Sequence, residues 1–231
     1  RRRMSNRQGE ETDTLKFFTL CLSVFYLLLA AAVCCAAGQQ KPAPAGGFYV
    51  SVAPSAVFPF FVETTSPGLS PAETKAEWGW EIGAGLGYRR RDFRIEGEVT
   101  YGRHEASDIR FAGGGGDLSG HYNLWGAVVN VFYDIPTGVR LRPYVGVGAG
   151  VVRFEARDIR LANFPPTEGL CNLFTYRLMA GLSWMLSDAW RLTAGYRFAG
   201  MNGPEFETGG ALLSGEPFST HAFSAGIQYH F

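Results

Sequence analysis

The sequence predicts an all-β fold: an eight-stranded antiparallel up-and-down β-barrel that crosses a membrane with its strands. Eight segments alternate between apolar and polar residues, with the period of two that marks a strand between two environments. The connections between these segments alternate between short and long. With 14% aromatic residues, 30 glycines and only 18% charged residues, the composition favours strands over helices. Only helices and closed barrels satisfy the backbone in lipid, and no apolar run of helix-spanning length follows the N-terminal region.

The N-terminal region has the order of features that is typical of a secretory signal peptide. A polar, partly basic stretch, Arg1 to Lys16, precedes an uncharged stretch, Phe17 to Ala37, that ends in small residues. We therefore expect a signal peptide at 1–37, a short linker at 38–47 and the barrel at 48–231. An uncleaved membrane anchor is the alternative interpretation of the first segment.

The first four predicted strands differ in how clearly their two faces separate. In the second strand Trp80 and Ile82 share one face and Glu81 lies on the other. The faces of the fourth strand are less distinct, with Trp125 on the side that we expect to point outward. The predicted strands are Gly47 to Val57, Glu77 to Arg89, Asp92 to His104 and Leu118 to Ile135.

The second half of the chain repeats the alternation four more times. Each segment is long enough to cross a bilayer, which takes about 9–11 residues of tilted strand. An even number of strands matches single-chain bacterial barrels, of which eight is the smallest size. The predicted strands are Val139 to Glu155, Leu173 to Ser187, Ala189 to Met201 and Ser219 to Phe231.

The predicted connections differ in length according to the end of the barrel on which they lie. Tight turns are expected at Arg90–Arg91, at Pro136 to Gly138 and at Asp188, because these residues favour chain reversal over very few positions. Short turns at one end and long loops at the other are the pattern of outer-membrane barrels, with the long loops outside the cell. The predicted long loops are residues 58–76, 105–117, 156–172 and 202–218.

The polar face of the strands carries eight charged residues that we assign to the interior of the barrel. So many charges on an apolar core face would cost a large desolvation energy, whereas in a membrane barrel they fill the lumen and pair with one another. We expect them to plug the lumen without a large pore, because eight strands enclose about the volume that side chains fill. A soluble barrel with the opposite orientation is the alternative. The residues are Glu81, Arg94, Glu96, Glu98, Arg142, Arg177, Arg191 and Arg197.

Several other function classes find no support in the sequence. A formal net charge of zero argues against nucleic-acid binding, which needs a basic surface. Cysteine and histidine spacings do not indicate a metal site. The glycine run Gly146 to Gly150 lacks the third glycine and the following helix of a dinucleotide loop, so we expect no cofactor.

The last predicted strand carries a short motif. Ser224, Gly226, Tyr229 and Phe231 follow the order polar, glycine, hydrophobic, terminal aromatic. This order resembles the C-terminal assembly signal of bacterial outer-membrane β-barrels. The region 48–231 as a whole resembles the small outer-membrane β-barrel family that includes opacity-type surface proteins and OmpA-like transmembrane barrel domains.

The resemblance implies a location in the outer membrane of a Gram-negative bacterium and a structural or surface-interaction role without enzymatic activity. It implies as partners the lipid and lipopolysaccharide of that membrane, the barrel assembly machinery, and host or surface ligands bound by the four long loops. Two alternatives remain open. One is a small porin; the other is a lipid A-modifying enzyme of the deacylase type, for which Ser219, His221 and Glu216 are the candidate residues.

Overall fold

The described part of the chain forms one antiparallel sheet of eleven strands, eight of which close a barrel. The strands of the barrel wall are β1 (Gly47–Val57), β3 (Ala72–Arg90), β4 (Phe93–Phe111), β5 (Gly114–Asp134), β6 (Leu141–Leu161), β7 (Thr167–Met185), β8 (Trp190–Met201) and β11 (Phe218–His230). Three short strands are β2 (Phe60–Thr65), β9 (Glu205–Thr208) and β10 (Ala211–Gly215). The computed structural model describes residues 46–58, 60–65, 72–111, 114–161, 167–203, 205–208 and 211–231.

The barrel closes between its first and last strands, β1 and β11, and has a fixed stagger. Neighbouring strands pair in chain order, and β1 pairs with both β11 and β3. Following paired residues around the wall from Gly47 leads back to β1 at Val57, which is ten residues further along (57 minus 47). A stagger of this size in eight strands requires a tilt at the steep end of the usual range, about 40°.

The two faces of the wall separate as the alternation predicts. Trp80 is 50% exposed and Ile227 is 40% exposed on the outside. Glu96 is buried in the lumen, 6% exposed. A soluble barrel would bury the apolar face and expose the charged one, so this alternative is excluded.

Aromatic side chains form a belt at each end of the outer face. Phe93 packs on Tyr133 near the tight turns, and Trp190 packs on Tyr229 at the same end. At the opposite end Trp80, Tyr101 and Trp125 form a continuous row, with ring centroids 5.6 and 4.4 Å apart. Aromatic rings prefer the two interfaces of a bilayer, so these rows mark the limits of the membrane-spanning part. No helix within the described ranges is long and apolar enough to cross a membrane.

The tight turns lie where the sequence predicts them. Arg91, at φ 56°, makes the turn between β3 and β4 in the left-handed region. Gly138, at φ 74°, lies in the same left-handed region in the turn between β5 and β6. Glycine has no Cβ and therefore adopts this conformation without a steric cost. Ser187 closes the third turn by accepting a hydrogen bond from the backbone N–H of Trp190, 3.1 Å, at its side-chain oxygen.

The prediction of four long loops is wrong for most of the residues concerned. Strands β4 to β7 continue through much of 105–117 and 156–172, and β2, β9 and β10 occupy parts of 58–76 and 202–218. Beyond the membrane both faces of a strand meet water, so the apolar–polar alternation fades although the hydrogen-bonded ladder continues. The sequence signal for a strand therefore ends before the strand does.

Three neighbouring wall strands are interrupted on their way out of the membrane. The gaps follow the end of β1 at Val57, follow the end of β8 at Met201 and precede the start of β11 at Phe218, and the sequence has a proline within three residues of each of these strand ends. Proline has no N–H to donate to a neighbouring strand, which ends a regular ladder. The short strands β2, β9 and β10 resume the sheet beyond these gaps.

The predicted signal peptide at 1–37 and all but the last two residues of the predicted linker lie outside the described residues, so their assignments stay predictions.

Candidate functional site: the barrel lumen

The eight charged residues predicted for the lumen all project inward. Arg94, Glu96, Arg142, Arg177 and Arg191 are buried. Glu81, Glu98 and Arg197 are half-buried. The strand period positions all of them, because each lies an even number of residues from the other inward positions of its strand.

Two ion pairs cross the middle of the lumen. Arg177 Nη1 donates to Glu98 Oε2 at 3.0 Å, and Arg197 Nη2 lies 2.6 Å from Glu81 Oε1. Asn130 Nδ2 also donates to Glu98 Oε2, at 2.8 Å. Because strands three places apart in the wall supply the two members of each pair, the pairs tie opposite sides of the barrel together.

A small polar cavity lies beside these pairs. Its volume is about 70 Å³, which is room for a few water molecules. Glu96 lines it and accepts a hydrogen bond from Ser51 Oγ at 2.9 Å. Its contents are therefore confined to small polar molecules.

The end of the lumen nearest the tight turns is organised by Asp134, a residue that the sequence interpretation did not select. Asp134 Oδ1 accepts from Arg94 Nε at 3.0 Å, and Asp134 Oδ2 pairs with Arg89 Nη2. The Arg94 guanidinium also lies over the Phe132 ring, 4.4 Å from its centroid. The sequence did contain a signal for Asp134. It lies an even number of residues from Asn130, so both side chains fall on the polar face of β5.

Apolar side chains fill the opposite end of the lumen. Leu124, Phe154 and Leu173 are buried there, and Tyr122 stacks against Phe154 with ring centroids 5.0 Å apart. The sequence interpretation expected charges alone to fill the interior. Val57, Val152, Met201 and Phe218 are further buried residues of this apolar layer.

Glycines on the inner face make room for large rings. A Cβ at Gly181 would lie 2.6 Å from the Tyr144 ring, and one at Gly195 would meet the Tyr144 hydroxyl. The two glycines are paired between β7 and β8, so Tyr144 lies flat against a bare stretch of backbone. On β3, where inward glycines recur two residues apart, a Cβ at Gly85 or Gly87 would likewise meet the side chain of Glu96 or of Tyr49.

The four residues of the predicted assembly signal lie along β11 and at the residue that follows it. Phe231 is 75% exposed and packs edge-on against Tyr229, with centroids 5.2 Å apart. Its backbone N–H donates to the Phe48 carbonyl at 3.0 Å. Ser224 and Gly226 are half-buried on the lumen side. Whether these residues act as a signal stays a prediction.

Among the side chains that the structure describes, no group of three histidine, cysteine, aspartate or glutamate residues is arranged to hold a metal ion.

The sequence profile of the outer membrane protein beta-barrel domain matches residues 27–231. The chain belongs to this family. It is a barrel of the bacterial outer membrane, as the two aromatic belts and the inward charges also require.

Two relatives illustrate the family. A protein of Gluconacetobacter diazotrophicus named "Outer membrane protein" is 29% identical over 175 residues, 66% of this chain and 44% of that protein. An uncharacterized protein of Brucella abortus is 27% identical over 138 residues, 47% of this chain and 48% of that protein. The chain thus spans about half the length of the relatives it matches.

Solved structures share the fold at low sequence identity. The outer membrane protein OprG from Pseudomonas aeruginosa aligns with a TM-score of 0.60 and 16% identity, over 84% of this chain and 99% of that one. The outer membrane protease OmpT from Escherichia coli aligns with a TM-score of 0.53 and 6% identity, over 84% and 99%. These likenesses show the shared fold alone, and one of the two proteins is named a protease.

Proposed function

We propose that this outer-membrane barrel has a closed lumen and acts at the cell surface through the β-structure that extends beyond the membrane. The observation that carries the proposal is the filling of the lumen at three levels. Arg89 and Arg94 pair with Asp134 near the tight turns, ion pairs cross the middle, and an apolar layer containing Leu173 closes the far end. Such a lumen holds the wall rigid and does not provide a wide aqueous path.

The length of the strands supports a role outside the membrane. Strands β5 and β6 have 21 residues each, which corresponds to roughly 50 Å along the axis of a barrel tilted by about 40°. The apolar band of an outer-membrane barrel is about 25 Å tall. About half of each strand therefore extends past the lipid, where it meets the lipopolysaccharide and is available to host or surface ligands.

Conductance across a planar bilayer tests the closed lumen. We expect the refolded chain to give no steady, large conductance. We expect the Arg177→Ala, Arg197→Ala double variant to stay closed as well, because the filled layers at the two ends of the lumen remain. A steady, large conductance of the unaltered chain would favour the porin alternative and overturn this part of the proposal.

Antibody labelling of whole cells tests the surface role. An epitope tag inserted between β4 and β5 is expected to be reached from outside, and a tag inserted at Gly138 is expected to be reached only after the outer membrane is opened. The opposite labelling pattern would mean that the tight turns, and not the strand extensions, face the outside of the cell.

The hydrogen bonding of His221 favours the non-enzymatic role. His221 Nδ1 lies 2.5 Å from Tyr196 OH, and both groups are on the outer face of the wall. In a serine–histidine–carboxylate triad Nδ1 of the histidine bonds to the carboxylate, whereas here Nδ1 bonds to a tyrosine hydroxyl. We expect Ser219→Ala to leave the lipid A mass spectrum of the cells unchanged, and an altered spectrum would restore the enzyme hypothesis.

A further inference from the structure

The end of the lumen that faces the periplasm contains a layer to which each of the eight wall strands contributes one side chain. We call this layer the periplasmic ring. Every member is less than a tenth exposed, so the ring lies within the barrel and not at its outer rim. The members are Tyr49, Arg89, Arg94, Asp134, Arg142, Ser183, Arg191 and His230.

The ring holds more positive charge than its acidic partners balance. Arg89 and Arg94 share the single carboxylate of Asp134. Arg142 Nη1 lies 3.7 Å from Asp92 Oδ1, which is too long for a hydrogen bond. Four arginines thus face Asp134 and Asp92 in this layer, which leaves an excess of two positive charges before any proton on His230 is counted. The next carboxylate along the lumen is Glu96, which accepts a hydrogen bond from Ser51.

The unbalanced charge is concentrated on Arg191 and Arg142. Within the described part of the chain, Nε, Nη1 and Nη2 of Arg191 have no hydrogen-bond partner, and Arg191 is only 1% exposed. Nε and Nη1 of Arg142 and Nη1 of Arg89 also have none. A buried charged donor without an acceptor is costly, because burial removes its hydration without a compensating bond. Gln228, the residue paired with Arg191, has a buried Oε1 that also lacks a partner among the described residues and can accept from one of these six donors, so the other five need water or an anion as acceptor.

We propose that the periplasmic ring binds a small tetrahedral oxyanion with the chemistry of phosphate, held chiefly by Arg191 and Arg142. Guanidinium groups match the oxygens of a phosphate with two parallel hydrogen bonds, and a doubly charged anion equals the charge excess of the ring. The anion enters from the periplasm, since the ring is the lumen layer nearest that side, and the long arginine side chains turn to admit it. This site is independent of the surface role proposed above.

Equilibrium dialysis with radiolabelled inorganic phosphate tests the site on the full chain refolded in detergent micelles. We expect saturable binding of one phosphate per chain that sulfate displaces and that chloride at the same ionic strength does not. Arg191→Gln is expected to weaken binding by about tenfold or more, as befits the loss of a charge-assisted pair of hydrogen bonds. Arg153→Gln, at an outward-facing arginine, is the matched control and should bind like the unaltered chain.

Urea unfolding gives a second measurement that does not depend on the dialysis. In phosphate-free chloride buffer we expect Arg191→Gln to unfold at an equal or higher urea concentration than the unaltered chain, because it removes a buried charge without a partner. Phosphate should stabilise the unaltered chain and not the variant. If Arg191→Gln fails to fold, Arg142→Gln and Arg191→Lys are compared in the same way.

Three results would overturn the proposal: no saturable phosphate binding, equal competition by chloride and sulfate, or equal binding by the unaltered chain and Arg191→Gln. The first would mean that water alone hydrates the ring. The second would mean general charge screening, and the third would place the anion elsewhere on the protein.

Discussion

Arg197 of β8 and Glu81 of β3 meet across the lumen, with Arg197 Nη2 2.6 Å from Glu81 Oε1. The two strands are three places apart in the wall, separated by β11 and β1. The pair therefore braces the part of the wall that contains the closure of the barrel between β1 and β11. It also adjoins Arg177, whose own partner is Glu98.

Removing one member of this pair should destabilise the barrel strongly. Glu81→Ala leaves Arg197 buried without its carboxylate, and we expect the free energy of unfolding to fall by about 3–5 kcal/mol. Replacing both residues, as Glu81→Leu with Arg197→Met, should cost less than the single change. Urea unfolding in micelles, followed by tryptophan fluorescence, measures both. Glu155→Ala is the control: its partner Arg153 is 53% exposed, so the expected loss is below about 1 kcal/mol. If the double variant has a lower free energy of unfolding than Glu81→Ala, the explanation by an unpaired buried charge is wrong.

The contact of Tyr144 with bare backbone makes Gly181 sensitive to substitution. Gly181→Ala would press on the backbone carbonyl oxygen of Ala194 and force the Tyr144 ring away from the wall, and we expect a loss of about 1–3 kcal/mol in the free energy of unfolding. Gly97→Ala is the matched control, since a Cβ there meets nothing within 4 Å. We expect that change to be neutral or to stabilise by up to about 1 kcal/mol. Equal effects of the two changes would show that the ring contact is unimportant.

The depth of a lipid-facing position should set the cost of a charge placed there. Val147 pairs with Val131 between the two aromatic belts, so Val147→Arg is expected to cost about 2–4 kcal/mol in the free energy of folding into vesicles. Leu170, beyond Phe174 on the outer face, is equally exposed, and Leu170→Arg should cost about 0–1 kcal/mol. Similar costs at both positions would place the membrane boundaries elsewhere.

The exposed terminal aromatic should matter more for assembly in the cell than for stability. Phe231 buries little surface, so Phe231→Ser is expected to reduce the stability of the refolded chain by less than about 1 kcal/mol. If the motif is read by the assembly machinery, the same change should sharply reduce the heat-modifiable form in outer-membrane fractions. Phe223→Ser, at an outward phenylalanine outside the motif, is the control. Equal losses for both variants in cells would argue against a signal.

The strand period gives the sequence its predictive power for this fold. It places β1 at Gly47–Val57 and directs Glu96 inward and Ile227 outward, because alternate side chains must face different surroundings. The strand ends beyond the membrane carry no such contrast, which is why β2, the end of β4 at 105–111 and the start of β5 at 114–117 are absent from the prediction.

The partners within the lumen could not be read from the sequence. Which arginine meets which carboxylate depends on the stagger of the wall, and the stagger follows from backbone pairing around the whole barrel. The sequence thus supplies Arg191 as an inward charge and gives no indication that it lacks a carboxylate partner. Asp134 was not predicted as a lumen residue because the sequence does not separate the two faces of its strand clearly.

The described part of the barrel that extends past the lipid is mostly sheet, so neighbouring surface positions come from strands that are distant along the chain. Antibodies against this region would recognise discontinuous epitopes, assembled only in the folded wall and destroyed by boiling. A peptide copied from one hairpin would be a poor immunogen, whereas the intact barrel would present a rigid antigen.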